Sequence, residues 1–352
     1  MKNFINIADH SSGDLRTIIE EAKVRKLKRK NLNKSAMDED KPFEGKSMAM
    51  IFEKPSTRTR MSFDIAVKQL GGSSIILNPE GIHYGKGEES LKDTAKVLTE
   101  YVDIVMLRTS SHKNLEEFGK YLGIPIINGL SDLSHPCQIM SDILTYEESN
   151  GSITGKTVSW LGDGNNNMSN SLIEAAGKFD FNLKIGCPKK YSPNKKILSW
   201  AKKNKVSLII TSKPDEAIKN SDCVMTDKWV SMNDKVNKKS KKKTLKPFQV
   251  NEKLMLKAKS DAIFMHCLPV GRGEEVTDKV NKKAKKKILK PFQVNKKLMG
   301  KANTNAIFMH CLPVGRGEEV TNEVIDGNQS VVWRQALNRV HAQKSIINWC
   351  ID

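Results

Sequence analysis

The densest chemistry in the chain lies in Phe52-Glu53-Lys54-Pro55-Ser56-Thr57-Arg58-Thr59-Arg60. Ser56, Thr57 and Thr59 bring hydroxyl donors and Arg58 and Arg60 bring guanidinium charge, after an apolar run and at the start of a helical one. Backbone N–H groups at a helix start carry partial positive charge, so this stretch can seat a phosphate. Taken alone, the same residues would also make an ordinary Ser/Thr helix cap with two surface arginines. They do not stand alone. Met106-Leu107-Arg108-Thr109 closes the next-but-one apolar run, and His135-Pro136-Cys137-Gln138 follows the run at 124–128. Polar groups at successive strand ends all face one rim of one sheet, which a single capped turn does not explain.

A second set lies further along. Gly162-Asp163-Gly164-Asn165-Asn166-Asn167 follows an apolar run, but Asn167 stands where a dinucleotide loop needs its third glycine, so a nucleotide fingerprint is not met. Thr226-Asp227-Lys228-Trp229-Val230-Ser231-Met232 follows another run, and His-Cys-Leu-Pro occurs twice, at 266–269 and 310–313.

The elements that must position these groups alternate. Strands are expected at 46–52, 74–77, 104–107 and 124–128, with helices at 59–70, 90–101 and 114–122 between or after them. Residues 139–150 read as a connecting helix. The alternation then restarts with strands at 157–161, 183–186, 206–211 and 223–226 and helices at 168–179 and 193–203, and a final helix falls near 336–349. Strands alternating with helices imply parallel βαβ units. The expectation is therefore α/β: two doubly wound parallel-sheet domains with an interdomain cleft and a C-terminal helix packing back on the first domain. Ligands in such sheets bind beyond the carboxyl ends of the strands.

Composition bounds the alternatives. A chain of 352 residues, 38% apolar and 28% charged, is long enough for two globular domains and is neither fibrous nor disordered in character. The start shows no basic region followed by an apolar stretch, and no run approaches the ~20 apolar residues that cross a bilayer. No membrane association is expected. The six cysteines form no C-x-x-C pair and no zinc spacing, so no metal is expected and a cytoplasmic protein with free thiols is the simplest reading. A net charge of +19 raises a nucleic-acid reading, but the lysines cluster at 238–243 and 282–287 without interleaved aromatics. They read as a solvated face, and no nucleic-acid partner is expected.

Residues 234–277 and 278–321 are one segment written twice, and the second copy alone contributes +8 of the net charge. The copies differ only at 240, 244, 252, 256, 259, 260, 261 and their partners. Two units inside an otherwise non-repeating chain make a tandem duplication rather than a solenoid, which needs three or more.

Together, STRTR, the Met-x-Arg-Thr strand end and HPCQ resemble the carbamoyl-phosphate domain of the aspartate/ornithine carbamoyltransferase family. GDGNNN, TDKWVSM and HCLP resemble its ornithine branch; the aspartate branch would show another loop after Gly-Asp and His-Pro-Leu-Pro in place of HCLP. The resemblance covers the chain apart from one extra repeat copy. It implies a carbamoyl-phosphate-binding domain at 1–148, an ornithine-binding domain at 149–330 containing the duplication, and a helix at 331–352 returning to the first domain. It implies carbamoyl transfer from carbamoyl phosphate to the δ-amine of L-ornithine, giving L-citrulline and phosphate, with no cofactor and with a homotrimer, or a multiple of trimers, as the assembly.

Carried over by position, the resemblance has Ser56, Thr57, Arg58 and Thr59 hold the phosphate. Arg108, His135 and Gln138 surround the carbamoyl group, and Arg339 of Asn338-Arg339-Val340-His341-Ala342-Gln343-Lys344 reaches back to carbamoyl phosphate. Asn167, Asp227, Ser231 and Met232 contact the amino-acid end of ornithine, and the Cys-Leu of one HCLP copy lies near its side-chain amine. Thr59, Arg108, His135 and Cys311 are the expected catalytic set. Of the two copies, Cys311-Leu312 is preferred over Cys267-Leu268, because the second copy runs straight into the C-terminal segment and the first can then be an insertion in the loop after Met232. The sequence departs from the family at His83, where a glutamine would reach a neighbouring subunit, and at Asn233, where glycine is usual. Val270-Gly271, Val314-Gly315 and Leu337 also depart. Rival readings are a ligand-binding paralogue disabled by the duplication, and a carbamoyltransferase for a related amine such as an N-acylornithine.

Overall fold

The computed structural model describes residues 2–78, 89–229, 237–267, 272–273, 276–277, 322–328 and 330–352. The chain divides into two units, Met1–Ser152 with Leu337–Asp352, and Ile153–Ala336. The expected class is observed: each unit is built on an all-parallel sheet.

In the first unit, β1 (Ser47–Phe52), β2 (Ser73–Leu77), β3 (Ile104–Arg108) and β4 (Ile126–Leu130) lie in the order β2-β1-β3-β4. Phe4 bridges Ile127 at the outer edge. The chain moves one way from β1 to β2 and the other way from β3 to β4, so right-handed crossovers send helices to both faces. One face is closed by α3 (Leu91–Tyr101) and α4 (His112–Tyr121): Ala95, Leu98, Leu115 and Phe118 pack on Ala49, Ile51, Val105 and Leu107. Strand alternation turns Met48, Met50 and Met106 to the opposite face, where they are equally buried. Cover on both faces explains why β1 and β3 read as unbroken apolar runs.

The remaining helices are α1 (Ser12–Lys28), α2 (Thr57–Gln69) and α5 (Pro136–Asn150). Helix α1 has no counterpart in the sequence reading, although Leu15, Ile18, Ile19 and Ala22 bury one side at helical spacing and Ser11 caps it by accepting from Asp14 N at 3.0 Å. Two boundaries move in ways that matter for the site. Helix α2 begins at Thr57, and α5 at Pro136 rather than 139, which puts His135 at the position just before its first turn, without a side-chain capping bond. Proline at the first helical position is favourable because its missing N–H needs no partner.

The C-terminal helix runs Val332–Ile351, and from Leu337 onward it belongs to the first unit. Asn338 Nδ2 donates to Thr145 Oγ1 and Glu148 Oε2 of α5, both at 2.9 Å, while its Oδ1 accepts from Lys26 Nζ of α1 at 2.7 Å. Lys344 is fully buried; it pairs with Asp38 and donates to Gln69 Oε1 of α2 at 3.2 Å.

In the second unit, β5 (Thr157–Leu161), β6 (Asn182–Gly186), β7 (Leu208–Thr211), β8 (Cys223–Asp227) and β9 (Ile263–Cys267) lie in the order β7-β6-β5-β8-β9. Helices α6 (Asn167–Phe179), α7 (Lys195–Lys203), α8 (Pro214–Ile218), α9 (Lys238–Leu245) and α10 (Glu252–Met255) connect them. Ala217 and Ile218 of α8 and Leu254 of α10 share a cluster with Leu161, Val224 and Val250.

One expectation is corrected here. The first repeat copy is not a loop insertion: residues 237–267 build α9, α10 and β9, and β9 pairs in parallel with β8, Asp227 opposite Cys267. Leu245, Phe248, Val250, Leu254, Ile263 and Met265 are buried. Burying one such side chain is worth ~1.5–3 kcal/mol, which a solvated insertion would forgo. The second copy, 278–321, lies outside the described residues.

Candidate active site

In the first sheet β1 and β3 are neighbours, and the chain leaves them in opposite directions, so a crevice opens beyond their carboxyl ends. Phe52 registers with Arg108, and Glu53 N donates to Arg108 O at 2.9 Å. Glu53 Oε2 accepts from Ser110 N at 2.9 Å and Ser110 Oγ at 3.1 Å, tying the two loops together. Above them Ser56 caps α2, its Oγ accepting from Thr59 N at 3.4 Å, with Thr57 and Arg58 in the first turn.

Thr59 is the meeting point. It is 1% exposed, and its Oγ1 accepts from Arg108 Nη1 at 3.2 Å and from Arg339 Nη2 at 2.9 Å. Burial, followed by the charges of Arg339 and Arg58, holds the Arg108 guanidinium down to about 10. His135 is held well below its ordinary 6.5 by burial first and then by Arg339, Arg108 and Arg58, so it is neutral at physiological pH. The charges that lower both residues are those of neighbouring arginines. Arg108 Nε is buried and has no acceptor among the described residues. A buried donor left unpaired costs ~1–3 kcal/mol, and clustered guanidinium groups repel, so this rim is suited to an anion. Gln138, 3% exposed, donates to Asp142 Oδ1 at 2.8 Å. Cys137 is pushed up to about 12 by burial and sits 3.4 Å from Asn128 O, which makes it a packing residue and no nucleophile.

In the second sheet the corresponding crevice lies beyond β5 and β8, with β6 on one side and β9 on the other. Thr226 Oγ1 donates to Leu161 O at 2.6 Å, which holds the two strand ends together. The loop after β5 can pass there only as glycine. Gly162 has φ +130, and a Cβ on Gly164 would meet Tyr191 O at 2.9 Å. Asn166 caps α6, accepting from Ser169 N at 2.8 Å, and Asn167 is the first helical residue. Asp227 ends β8 and is half-buried.

The structure thus brings Ser56, Thr57, Arg58, Thr59, Arg108, His135, Gln138 and Arg339 into one unit, with Thr59, Arg108 and Arg339 in direct contact. Asn167 and Asp227 fall on the crevice of the other. The backbone of Cys267 is described and its side chain is not. Ser231, Met232, Leu268, Cys311 and Leu312 lie outside the described residues, as do His83, Asn233, Val270, Gly271, Val314 and Gly315. Leu337 is 48% exposed. The sequence reading missed Glu53, which ties the loops, and Asp163 with Lys241, which form a buried ion pair at 2.6 Å. Nothing in local sequence marks that pair, since a lysine run reads as solvated until its helix is packed. Among the described residues no group of His, Cys, Asp and Glu could hold a metal ion, and no helix is long and apolar enough to cross a membrane.

Two parallel sheets, one rimmed by cations and the other by amides and carboxylates, describe a protein that handles an anion and an amino-acid-like polar ligand. Comparison makes this specific. Residues 2–148 match the aspartate/ornithine carbamoyltransferase carbamoyl-P binding domain, and residues 154–289 and 278–350 both match the family's Asp/Orn binding domain. The chain belongs to the aspartate/ornithine carbamoyltransferase family. It is 43% identical over 352 residues to an ornithine carbamoyltransferase of Brucella suis, covering 100% of this chain and 96% of the relative. It is 42% identical over 350 residues to one from Nitrobacter winogradskyi, with 99% and 97% covered. Among solved structures it superimposes on the ornithine carbamoyltransferase of Pyrococcus furiosus with a TM-score of 0.77 at 36% identity, covering 98% and 96% of the two chains. The anabolic enzyme of Campylobacter jejuni gives 0.74 at 32%, covering 99% and 98%.

Proposed function

We propose that this chain transfers the carbamoyl group of carbamoyl phosphate to the δ-amine of L-ornithine, giving L-citrulline and phosphate. The observation that carries the reading is the pair of guanidinium groups on Thr59 Oγ1, from Arg108 and Arg339, at the start of a Ser-capped helix. Phosphate binds the amides of the first turn with Ser56, Thr57, Thr59 and Arg58. The carbonyl oxygen of the carbamoyl group faces Thr59, Arg108 and neutral His135, while Gln138 holds its amide and Arg339 spans toward the phosphate. The Nε–H of Arg108, without an acceptor among the described residues, is a donor ready for such an oxygen.

The neutral δ-amine attacks the carbamoyl carbon, the C–O bond to phosphate breaks, and phosphate leaves with the electron pair. The amine gives its proton to solvent or to the departing phosphate. An alkyl ammonium titrates near ~10, so ornithine must first lose a proton, which desolvation favours. No covalent enzyme intermediate is needed; alignment and stabilisation of the developing oxyanion do the work. Asn167, Asp227, Ser231 and Met232 bind the amino-acid end of ornithine. For the pair beside its side-chain amine we favour Cys267 and Leu268 over Cys311 and Leu312, because Cys267 registers with Asp227 at the end of β8. We further assign the protein to the cytoplasm and to a homotrimer, as its family suggests; sedimentation at assay concentration checks the latter.

The deciding experiment offers carbamoyl phosphate with L-ornithine, an N-acylornithine and a simple diamine, and follows product formation. Citrulline from ornithine is the expected result, and preference for another amine, or no turnover, overturns the proposal. Ornithine affinity in Cys267→Ala and Cys311→Ala separates the copies: the first variant should weaken it and the second should not.

A further inference from the structure

The run Lys238-Lys239-Ser240-Lys241-Lys242-Lys243 has the composition of a solvated face, and Lys238, Lys239 and Lys243 are exposed. Lys241 is not: it is 4% exposed and its Nζ lies 2.6 Å from Asp163 Oδ2, itself in a side chain only 5% exposed. Taking both charges out of water is costly unless geometry and further hydrogen bonds compensate. Here they do. Asp163 Oδ1 accepts from Asn165 N at 2.9 Å, Asp163 O accepts from Trp160 Nε1 at 2.9 Å, and the ammonium lies 5.3 Å from the centre of the Tyr191 ring. The carboxylate thus holds the loop backbone with one oxygen and is held by Lys241 through the other. Two residues after Asn165 stands Asn167, placed by the cap that Asn166 provides.

We propose that Lys241 is a positioning residue for the amino-acid substrate. Its ion pair with Asp163 sets the Gly162–Asn167 loop, and through it the ornithine-facing Asn167, so that one member of the repeated lysine run governs acceptor binding. This rests on the ornithine reading of the site. Leu245, one turn further on, packs with Trp229 and Tyr191 and keeps Lys241 aimed inward. The second copy carries the same lysine at Lys285. The proposal makes Lys241 the one that matters, so the chain contains its own control.

The test compares Lys241→Met, Lys241→Arg, Asp163→Asn and Lys285→Met in the full-length protein. Lys241→Met and Asp163→Asn should raise the KM for ornithine by about tenfold to a hundredfold, as a displaced binding group does. The KM for carbamoyl phosphate should stay close to that of the parent. A variant combining Lys241→Met with Asp163→Asn should be no worse than either single one, Lys241→Arg should recover part of the loss, and Lys285→Met should behave as the parent. Amide hydrogen exchange across 162–170 should rise in Lys241→Met and stay unchanged in Lys285→Met, a readout that needs no turnover. A parent that makes no citrulline sinks the ornithine reading and leaves the exchange result to judge the loop. Unchanged exchange with unchanged ornithine KM in Lys241→Met, both KM values moving together, or sensitivity at Lys285 in its place would each overturn the proposal.

Discussion

Thr59 Oγ1 accepts from two guanidinium groups that are 280 and 49 residues away in sequence. A hydroxyl under that load fixes where both cations point, so Thr59→Val should leave the fold intact and lower kcat about a hundredfold to a thousandfold, the usual cost of losing an oxyanion donor; initial rates at saturating substrates check it. Arg108→Ala should abolish citrulline formation while the circular dichroism spectrum stays native. Two buried histidines predict a pH response. His135 is held well below 6.5, and burial followed by nearby cations takes His341 down to about 3. Below 6.5 the unfolded chain binds protons that these folded sites refuse, so stability falls with acid, by up to ~1.4 kcal/mol per pH unit for each histidine. Replacing His341 by Gln should flatten that fall between pH 6.5 and about 3, as urea titrations at stepped pH would read.

At the scale of elements, the C-terminal helix brings Arg339 to Thr59 because it is anchored along its length. Asp38 accepts from Arg25 of α1 at 3.1 Å and from Arg29, the residue that ends α1, at 2.6 Å, and pairs with fully buried Lys344, which also meets Gln69 of α2. One carboxylate therefore joins the end of α1, the end of α2 and the C-terminal helix. Asp38→Asn would leave buried Arg29 and Lys344 without a counter-charge among the described residues, while Arg25 keeps Glu21 and Asp40. The expected loss is ~3–5 kcal/mol, seen as a lowered unfolding midpoint and recovered in part by adding Lys344→Met. The loop after β5 depends on space in a different way. Gly164→Ala would push a methyl to 2.9 Å from Tyr191 O and 3.0 Å from Cys187 Sγ, so the loop must shift. The expected readout is weaker ornithine binding with carbamoyl phosphate binding retained, measured by calorimetry.

For the whole molecule, the duplication asks what distinguishes two nearly identical segments. Every buried position described in the first copy, from Lys241 and Leu245 through Phe248, Gln249, Val250 and Leu254 to Ile263 and Met265, carries the same residue in the second. The differing positions whose side chains are described, such as Ser240, Leu256, Lys259, Ser260 and Asp261, are exposed, or half-buried in the case of Thr244. Lys259 pairs with Asp222 at 2.7 Å with its side chain 46% exposed, and Asn303 replaces it in the second copy. A solvated pair of this kind contributes ~0–1 kcal/mol. Chains lacking either 234–277 or 278–321 should therefore fold with midpoints a few degrees apart at most and form citrulline at similar rates. A single-copy chain that is inactive while the other works would show that surface positions discriminate after all.

What the residues determined by themselves was the pattern of alternating apolar runs, and with it two parallel sheets, and the placing of the candidate anion-binding groups, because STRTR, Arg108-Thr109 and HPCQ sit at strand ends whatever the strand order. Helix α1 is also written there, in the spacing of Leu15, Ile18, Ile19 and Ala22 after a Ser cap. Strand order, however, is a long-range property: only pairing β1 with β3 and β5 with β8 turns the strand ends into two crevices. The burial of Lys241 inside a lysine run was decided by how α9 packs, and the place of the first copy by β9 joining β8. Neither follows from local composition, since the same residues in the second copy read identically, and only a partner across the fold can tell a solvated lysine from a paired one.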